Sequence, residues 1–407
     1  MRSAPVLACL FLGACASARA QLVFGAPEPW SEPIADYLAA GEREFPGGFQ
    51  RGITTLTVFA NRLWIGYGDA TQNMGTRVPI ELRYFANPDD NHAQAAAVLA
   101  EGAGAPQRTP TDTGEEQIEP YRVCAGTLCL AGVDSNDPDE LWSQAKREPR
   151  PIEGNVFRLE ERDGAPAWRK FRSIPGGEHV HDLAELDGIL YAVGSGAADR
   201  VEWEEGRVFR YLWESHDGGT SFVPLHRVQY PDLGQGDTRF RKLLAVGDTL
   251  YAFGYVNPYV DGGPLAGRHV RVRAGEVAEL AELGELVVAR TFPLDRERGL
   301  VVTRDEQGRT RTFLAREKGF AELDSWVARR VIDVAPARTP GESLLLSGDG
   351  ATSETFAVER FRIHAPERLD PVLTLSGVAP TALALWHGQL YLGTDDGRVL
   401  RARPRPH

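Results

Sequence analysis

The densest local chemistry in the chain is Gly177-Glu178-His179-Val180-His181-Asp182. Two histidines one residue apart on a strand face the same side. That spacing suits a transition metal, and Asp182 beside them would permit general acid–base work. The plainer reading is a pair of imidazoles hydrogen-bonded inside a packed sheet. A second cluster, Arg239-Phe240-Arg241-Lys242, has the guanidinium geometry to hold a carboxylate. The chain has 41 arginines and four lysines, so an arginine pair discriminates weakly. A third cluster, Asp134, Asp137 and Asp139, is acidic enough for a hard cation. It lacks the glycine and terminal glutamate of an EF-hand loop and reads more simply as a solvated loop. Signatures for dinucleotide, P-loop, zincin or nucleophile-elbow sites are absent, so no nucleotide cofactor is expected. No complete catalytic constellation stands in the sequence.

The elements that must position these residues repeat. A β-rich run, a small turn and a Leu-aromatic-apolar stretch ending in Gly recur from Ile53, Ile118, His179, Phe240, Glu285, Arg330 and Pro380. The starts are 65, 61, 61, 45, 45 and 50 residues apart. Each copy is followed by a second alternating pair, such as Val208–Ser215 and Phe222–Val228. One period therefore holds about four short antiparallel strands, the signature of a β-propeller. The expected fold is all-β: seven four-stranded blades forming one domain over residues 21–407. Copy seven supplies only three strands, so an N-terminal strand at Gln21–Phe24 is expected to close the ring. A short helix is expected around Ile34–Glu42. Residues 101–117 and 134–153 read as long loops, the first of them mobile.

Ser215-His216-Asp217-Gly218-Gly219-Thr220-Ser221-Phe222 resembles an Asp-box, the turn between third and fourth blade strands in sialidase-like (BNR-repeat) propellers. In the resemblance Ser215 and Asp217 accept turn N–H groups, Gly219 supplies positive φ and Phe222 packs between sheets. The likeness implies fold, because the box is structural in that family. Sialidase activity is not implied. The nearest string to the family's F/Y-R-I-P motif, Phe171-Arg172-Ser173-Ile174-Pro175, has an inserted residue and sits on an outer strand.

In a propeller the upper mouth of the channel gathers ligands. The loops between second and third strands would bring there Tyr67, Asp69, Asn73, Asp134, Asp137, Asp139, Tyr255 and Asn257. The lead-ins to the innermost strands would add Arg51, Glu116, Glu119, His179, His181, Asp182, Arg239, Arg241 and Lys242. This mixture suits an anionic or polyhydroxyl ligand.

Residues 1–20 read as an export signal. Cleavage before Cys15, within Leu12-Gly13-Ala14-Cys15, would leave a lipidated cysteine and a membrane-anchored protein. Cleavage after Ala20 would leave a free one. Cys124 and Cys129 then remain, and a hairpin disulfide is expected in an oxidising compartment. A net charge of −12 opposes nucleic acid as a partner. The leading functional reading is an exported monomer, on the outer membrane, periplasmic or secreted, that binds a glycan or an envelope protein. A carbohydrate-active hydrolase or lyase, metal-assisted through His179 and His181, is the alternative. An envelope assembly factor is the third.

Overall fold

The computed structural model describes residues 23–46, 52–69, 78–101, 109–118, 120–133, 151–199, 201–202, 205–229, 236–258, 266–305, 309–327, 329–349 and 354–405. Cys15, Arg51, Asn73, Glu119, Asp134, Asp137 and Asp139 lie outside them.

Among the described residues the strands form five four-stranded sheets and one ten-stranded sheet. Four of the smaller sheets are antiparallel meanders starting from Ile53–Phe59, Gly236–Val246, Val287–Asp295 and Arg329–Pro336. The fifth contains Pro380–Trp386, Gln389–Thr394 and Val399–Ala402, with Glu28–Ser31 added at its edge. The ten-stranded sheet consists of two groups joined at the single pair His179↔Val133. One group starts from a broken strand, Gln117–Ile118 and Arg122–Cys124, and the other from His179–Leu186. Every repeat copy read in the sequence thus supplies the first strand of its own group. This is the β-propeller arrangement. The two-residue turns follow the sequence as well: Asp187-Gly188 and His387-Gly388 both take positive φ, which type I′ hairpins require.

The first strands share a device that the repeat pattern did not show. Their register breaks between Ile53 and Thr55, Val180 and Asp182, and Phe240 and Lys242. It breaks again between Val288 and Arg290, Val331 and Asp333, and Pro380 and Ala382. A bulge adds one residue to the inner strand and re-aims the side chains that follow it. Thr55, Asp182, Lys242, Arg290, Asp333 and Ala382 therefore occupy one equivalent position around the ring.

Several expectations need correction. The closing strand is Glu28–Ser31, paired antiparallel with Val399–Ala402 (Glu28↔Arg401, Pro29↔Leu400). The stretch near Phe24 only extends it, through a Phe24↔Pro404 bridge. Trp30 decides the placement: it is 8% exposed, with ring centroids 4.3 Å from Phe85 and 4.8 Å from Tyr391. Phe24 is buried as well, at 1% exposed, but in a separate apolar cluster with Leu344, Leu390 and Leu400. The helix runs Ala35–Glu44 and is tied down by a bidentate Arg83–Asp36 bridge.

The polar segment 101–117 is not one mobile loop. Ala97–Glu101 adds as a parallel strand to Ala165–Pro175, and Asp112, Thr113, Glu115 and Glu116 are buried. Their polarity is consumed inside the fold: Thr113 Oγ1 donates to the Ile80 carbonyl, and Asn155 Nδ2 donates to Glu115.

Cys124 and Cys129 are both buried free thiols. Cys124 pairs with Thr127 and Cys129 with Arg122, so the two cysteines sit diagonally across the hairpin. Their side chains remain in contact, Cys129 Sγ lying 3.9 Å from the Cys124 carbonyl oxygen and its thiol within hydrogen-bond reach of the Cys124 thiol. The neighbouring Cys129 thiol and burial hold the Cys124 thiol well above its ordinary range.

Candidate functional site: the central channel

A cavity of about 1540 Å³ runs along the first strands of the sheets. Its walls come from Gly52–Val58, Gln117, Ile118, Pro120–Val123, Val287–Pro293, Asp333–Arg338, Thr381 and Leu383–Leu385, with Arg241, Lys242 and Tyr255 at one side. Its charge is opposite to that of the whole chain. Arg122, Arg241, Lys242, Arg290, Arg304 and Arg338 line it, against the carboxylates Asp305, Asp333 and Asp395. The protein as a whole carries −12. Basic side chains inside a low-dielectric cleft focus a positive field along it.

Asp182 has a fixed structural role. Its carboxylate accepts from the backbone N–H of Leu183 and, across the gap between sheets, of Leu243, both at 2.9 Å. Arg122 closes on it bidentately at 2.8 and 2.8 Å and also reaches Thr291 Oγ1 at 3.2 Å. Thr291 in turn donates to the Leu243 carbonyl. One ion pair thus ties together the inner strands of four successive groups. Asp333, at the equivalent position, accepts from its neighbour Val334 N–H (2.9 Å) and from Leu383 N–H on the adjoining strand (2.7 Å). Among the described residues no arginine is bidentate with it. Burial, only partly offset by Arg290, pushes its carboxyl up to about 6.

His181 is 1% exposed, and its ring lies 6.0 Å from that of His179, nearly parallel. Burial, then Arg241 and Arg239, hold His181 well below the ordinary histidine range. Burial and the same two arginines lower His179 to about 3. Both imidazoles are therefore neutral at neutral pH, and neither lines the cavity. A metal cation there would face Arg239, Arg241 and Lys242, an unfavourable field. Among the described residues no three His, Cys, Asp or Glu side chains come together as a ligand set.

The other upper-face candidates divide. Arg241, Lys242 and Tyr255 line the cavity, and Arg239 pairs with Tyr255 in the same sheet. Asn257 lies further up that strand, paired with Asp237. Tyr67 is fully buried, its hydroxyl accepting the Glu81 N–H at 2.9 Å, and Asp69 and Glu116 are buried. Tyr67 is thus engaged within the fold rather than presented to the channel.

The Ser215–Phe222 turn has these local bonds. Gly219 N–H donates to Ser215 Oγ at 2.8 Å, and Ser221 N–H and Oγ both donate to Asp217. These bonds lower the Asp217 carboxyl to about 2. Gly219 has φ +94, and Phe222 is buried. The turn lies between the third and fourth strands of its group and does not line the channel.

Reading the sequence did not single out Arg122, Arg290 or Asp333. One signal was present. Asp182-Leu183-Ala184 and Asp333-Val334-Ala335 stand at the same phase of the repeat, so aligning the copies would have paired the two aspartates. Nothing marked Arg122, whose partner lies 60 residues away.

No protein-family model matches the chain, and no curated protein sequence matches it. Among solved structures, the β-propeller domain of the trilobed protease from Pyrococcus furiosus superposes with a TM-score of 0.50 at 7% identity, over 87% of this chain and 96% of that one. That domain is described as having an open velcro topology, whereas here Glu28–Ser31 bonds to the last sheet. Puromycin hydrolase matches at TM-score 0.48 and 14% identity, over 91% of this chain and 53% of that one. BamB from Moraxella catarrhalis matches at 0.35 and 15%, over 87% and 84%. At these identities the likeness is one of fold, and the chain is a β-propeller.

Proposed function

We propose that this chain is an exported, monomeric binding module, one seven-bladed propeller over residues 21–407, whose central channel takes an anionic ligand. The ten-stranded sheet counts as two blades in this reading. The observation that carries it is the basic channel lining in an acidic chain. Lys242 and Arg290 stand at the equivalent position in adjacent blades, with Arg241 directly before Lys242. A glycan held there would carry carboxylate or sulfate groups. Binding is favoured over hydrolysis because both carboxylates at the bulge position, Asp182 and Asp333, accept backbone N–H groups and so serve the fold. Placement on a membrane through Cys15, and membership of the Asp-box superfamily, belong to the same proposal.

The test is a thermal-melt screen of residues 21–407 with acidic and neutral oligosaccharides, simple carboxylates, divalent metals and EDTA. A ligand at 100 times its Kd adds about 2.7 kcal/mol. Stabilisation by the acidic compounds, lost in Arg290→Ala, supports the reading. Stabilisation by metals that EDTA reverses would favour the metal-assisted hydrolase. A flat screen, with capture of an envelope protein, would favour the assembly role.

A further inference from the structure

We propose that the anion is the head of an amphiphile: a single-chain alkyl carboxylate whose tail extends toward the lower mouth of the channel. This rests on the anion-binding reading above and specifies its ligand. The cationic position, Lys242 and Arg290, directly follows the bulge of the inner strands. Three residues further along four of these strands the wall turns apolar, with Val58, Pro293, Pro336 and Leu385 lining the cavity, and Val123 of the broken strand joins them. At 3.3 Å per residue the charge and this collar are about 10 Å apart. Val58 and Val123 are 40% and 60% exposed, two of the four large apolar side chains so exposed among the described residues. Leu383 and Ala384 continue the apolar wall between the two levels. A small hydrophilic anion would satisfy the upper level and leave the collar wet. An alkyl carboxylate satisfies both with one molecule.

The experiment is isothermal titration of the full-length mature chain with butyrate, hexanoate, octanoate and decanoate, beside glucuronate and the uncharged octyl glucoside. The expected result is affinity rising with chain length, at most about fourfold per added methylene, with octyl glucoside far weaker than octanoate. Lys242→Ala and Arg290→Ala should weaken every carboxylate. Leu385→Asn, which adds polarity without charge, should weaken decanoate at least tenfold and leave glucuronate within twofold. Val58→Asn is the independent second variant, should Leu385→Asn fail to fold. Equal affinity for glucuronate and decanoate, insensitive to both collar variants, overturns the amphiphile and leaves the anion reading standing. Absence of binding by every carboxylate overturns both. Octyl glucoside matching octanoate overturns the role given to Lys242 and Arg290.

Discussion

Replacing Arg122 by alanine is expected to destabilise the protein strongly without touching a hydrophobic core. The Arg122 and Asp182 side chains are 12% and 0% exposed. Removing the guanidinium deletes two charge-assisted bonds to Asp182 and one to Thr291. It leaves a buried carboxylate that still accepts from Leu183 and Leu243 but has lost its bidentate countercharge. Breaking a buried pair by deleting one partner costs about 3–5 kcal/mol. For a chain of this size that corresponds to a melting-point drop of about 5 °C. Urea unfolding followed by tryptophan fluorescence reads the free energy, and calorimetry reads the melting point. Asp182→Ala should cost a similar amount, because it strands Arg122 and the Leu243 N–H. The double variant should cost clearly less than the sum of the singles, since the pair forms one network. A loss below about 1 kcal/mol for Arg122→Ala, the value of an exposed pair, would refute the interblade tie.

Three further outcomes are expected. His269 is lowered to about 4, mainly by burial, with Nε2 against the Leu286 carbonyl and Nδ1 accepting Gly254 N–H. A depressed histidine contributes stability above its unfolded value of about 6.5 and loses it as pH falls toward 4, on the order of 3 kcal/mol; urea midpoints of His269→Asn should show a shallower acid slope than wild type between those values. Trp30→Ala should cost about 3–5 kcal/mol and open the seam at Glu28–Ser31, read as fast amide exchange along Val399–Ala402; slow exchange there would show that the closing strand holds without its anchor. Dithiothreitol should leave the melting point unchanged, with Cys124 and Cys129 titrating as two thiols only after unfolding; a reducible species would place a disulfide where the structure has free cysteines.

The sequence by itself determined the repeat, and through it the fold. Leu-aromatic-apolar runs such as Leu250-Tyr251-Ala252-Phe253 are apolar on both faces because blades sandwich them, and the Asp187-Gly188 and His387-Gly388 turns demand positive φ from local chemistry alone. These are short-range constraints, so they are written in neighbouring residues. The Ser215–Phe222 turn was legible for the same reason, because the bonds of its Ser215 and Asp217 side chains fall within Ser215–Ser221. The site was legible only in part: Arg241, Lys242 and Tyr255 line the channel, whereas His179 and His181 turn into the packed interior. Tertiary structure alone decided the rest, because it depends on which distant residues meet. A bulge recurring in six inner strands re-aimed Asp182, Lys242, Arg290 and Asp333 to one level. Arg122 found Asp182 across 60 residues and Thr291 across 169. The same principle moved the closing strand: Trp30 needed the apolar pocket formed by Phe85, Trp386 and Tyr391, residues contributed by both ends of the chain. Periodicity fixes which face of a strand is buried. Only the closed ring fixes what that face is buried against.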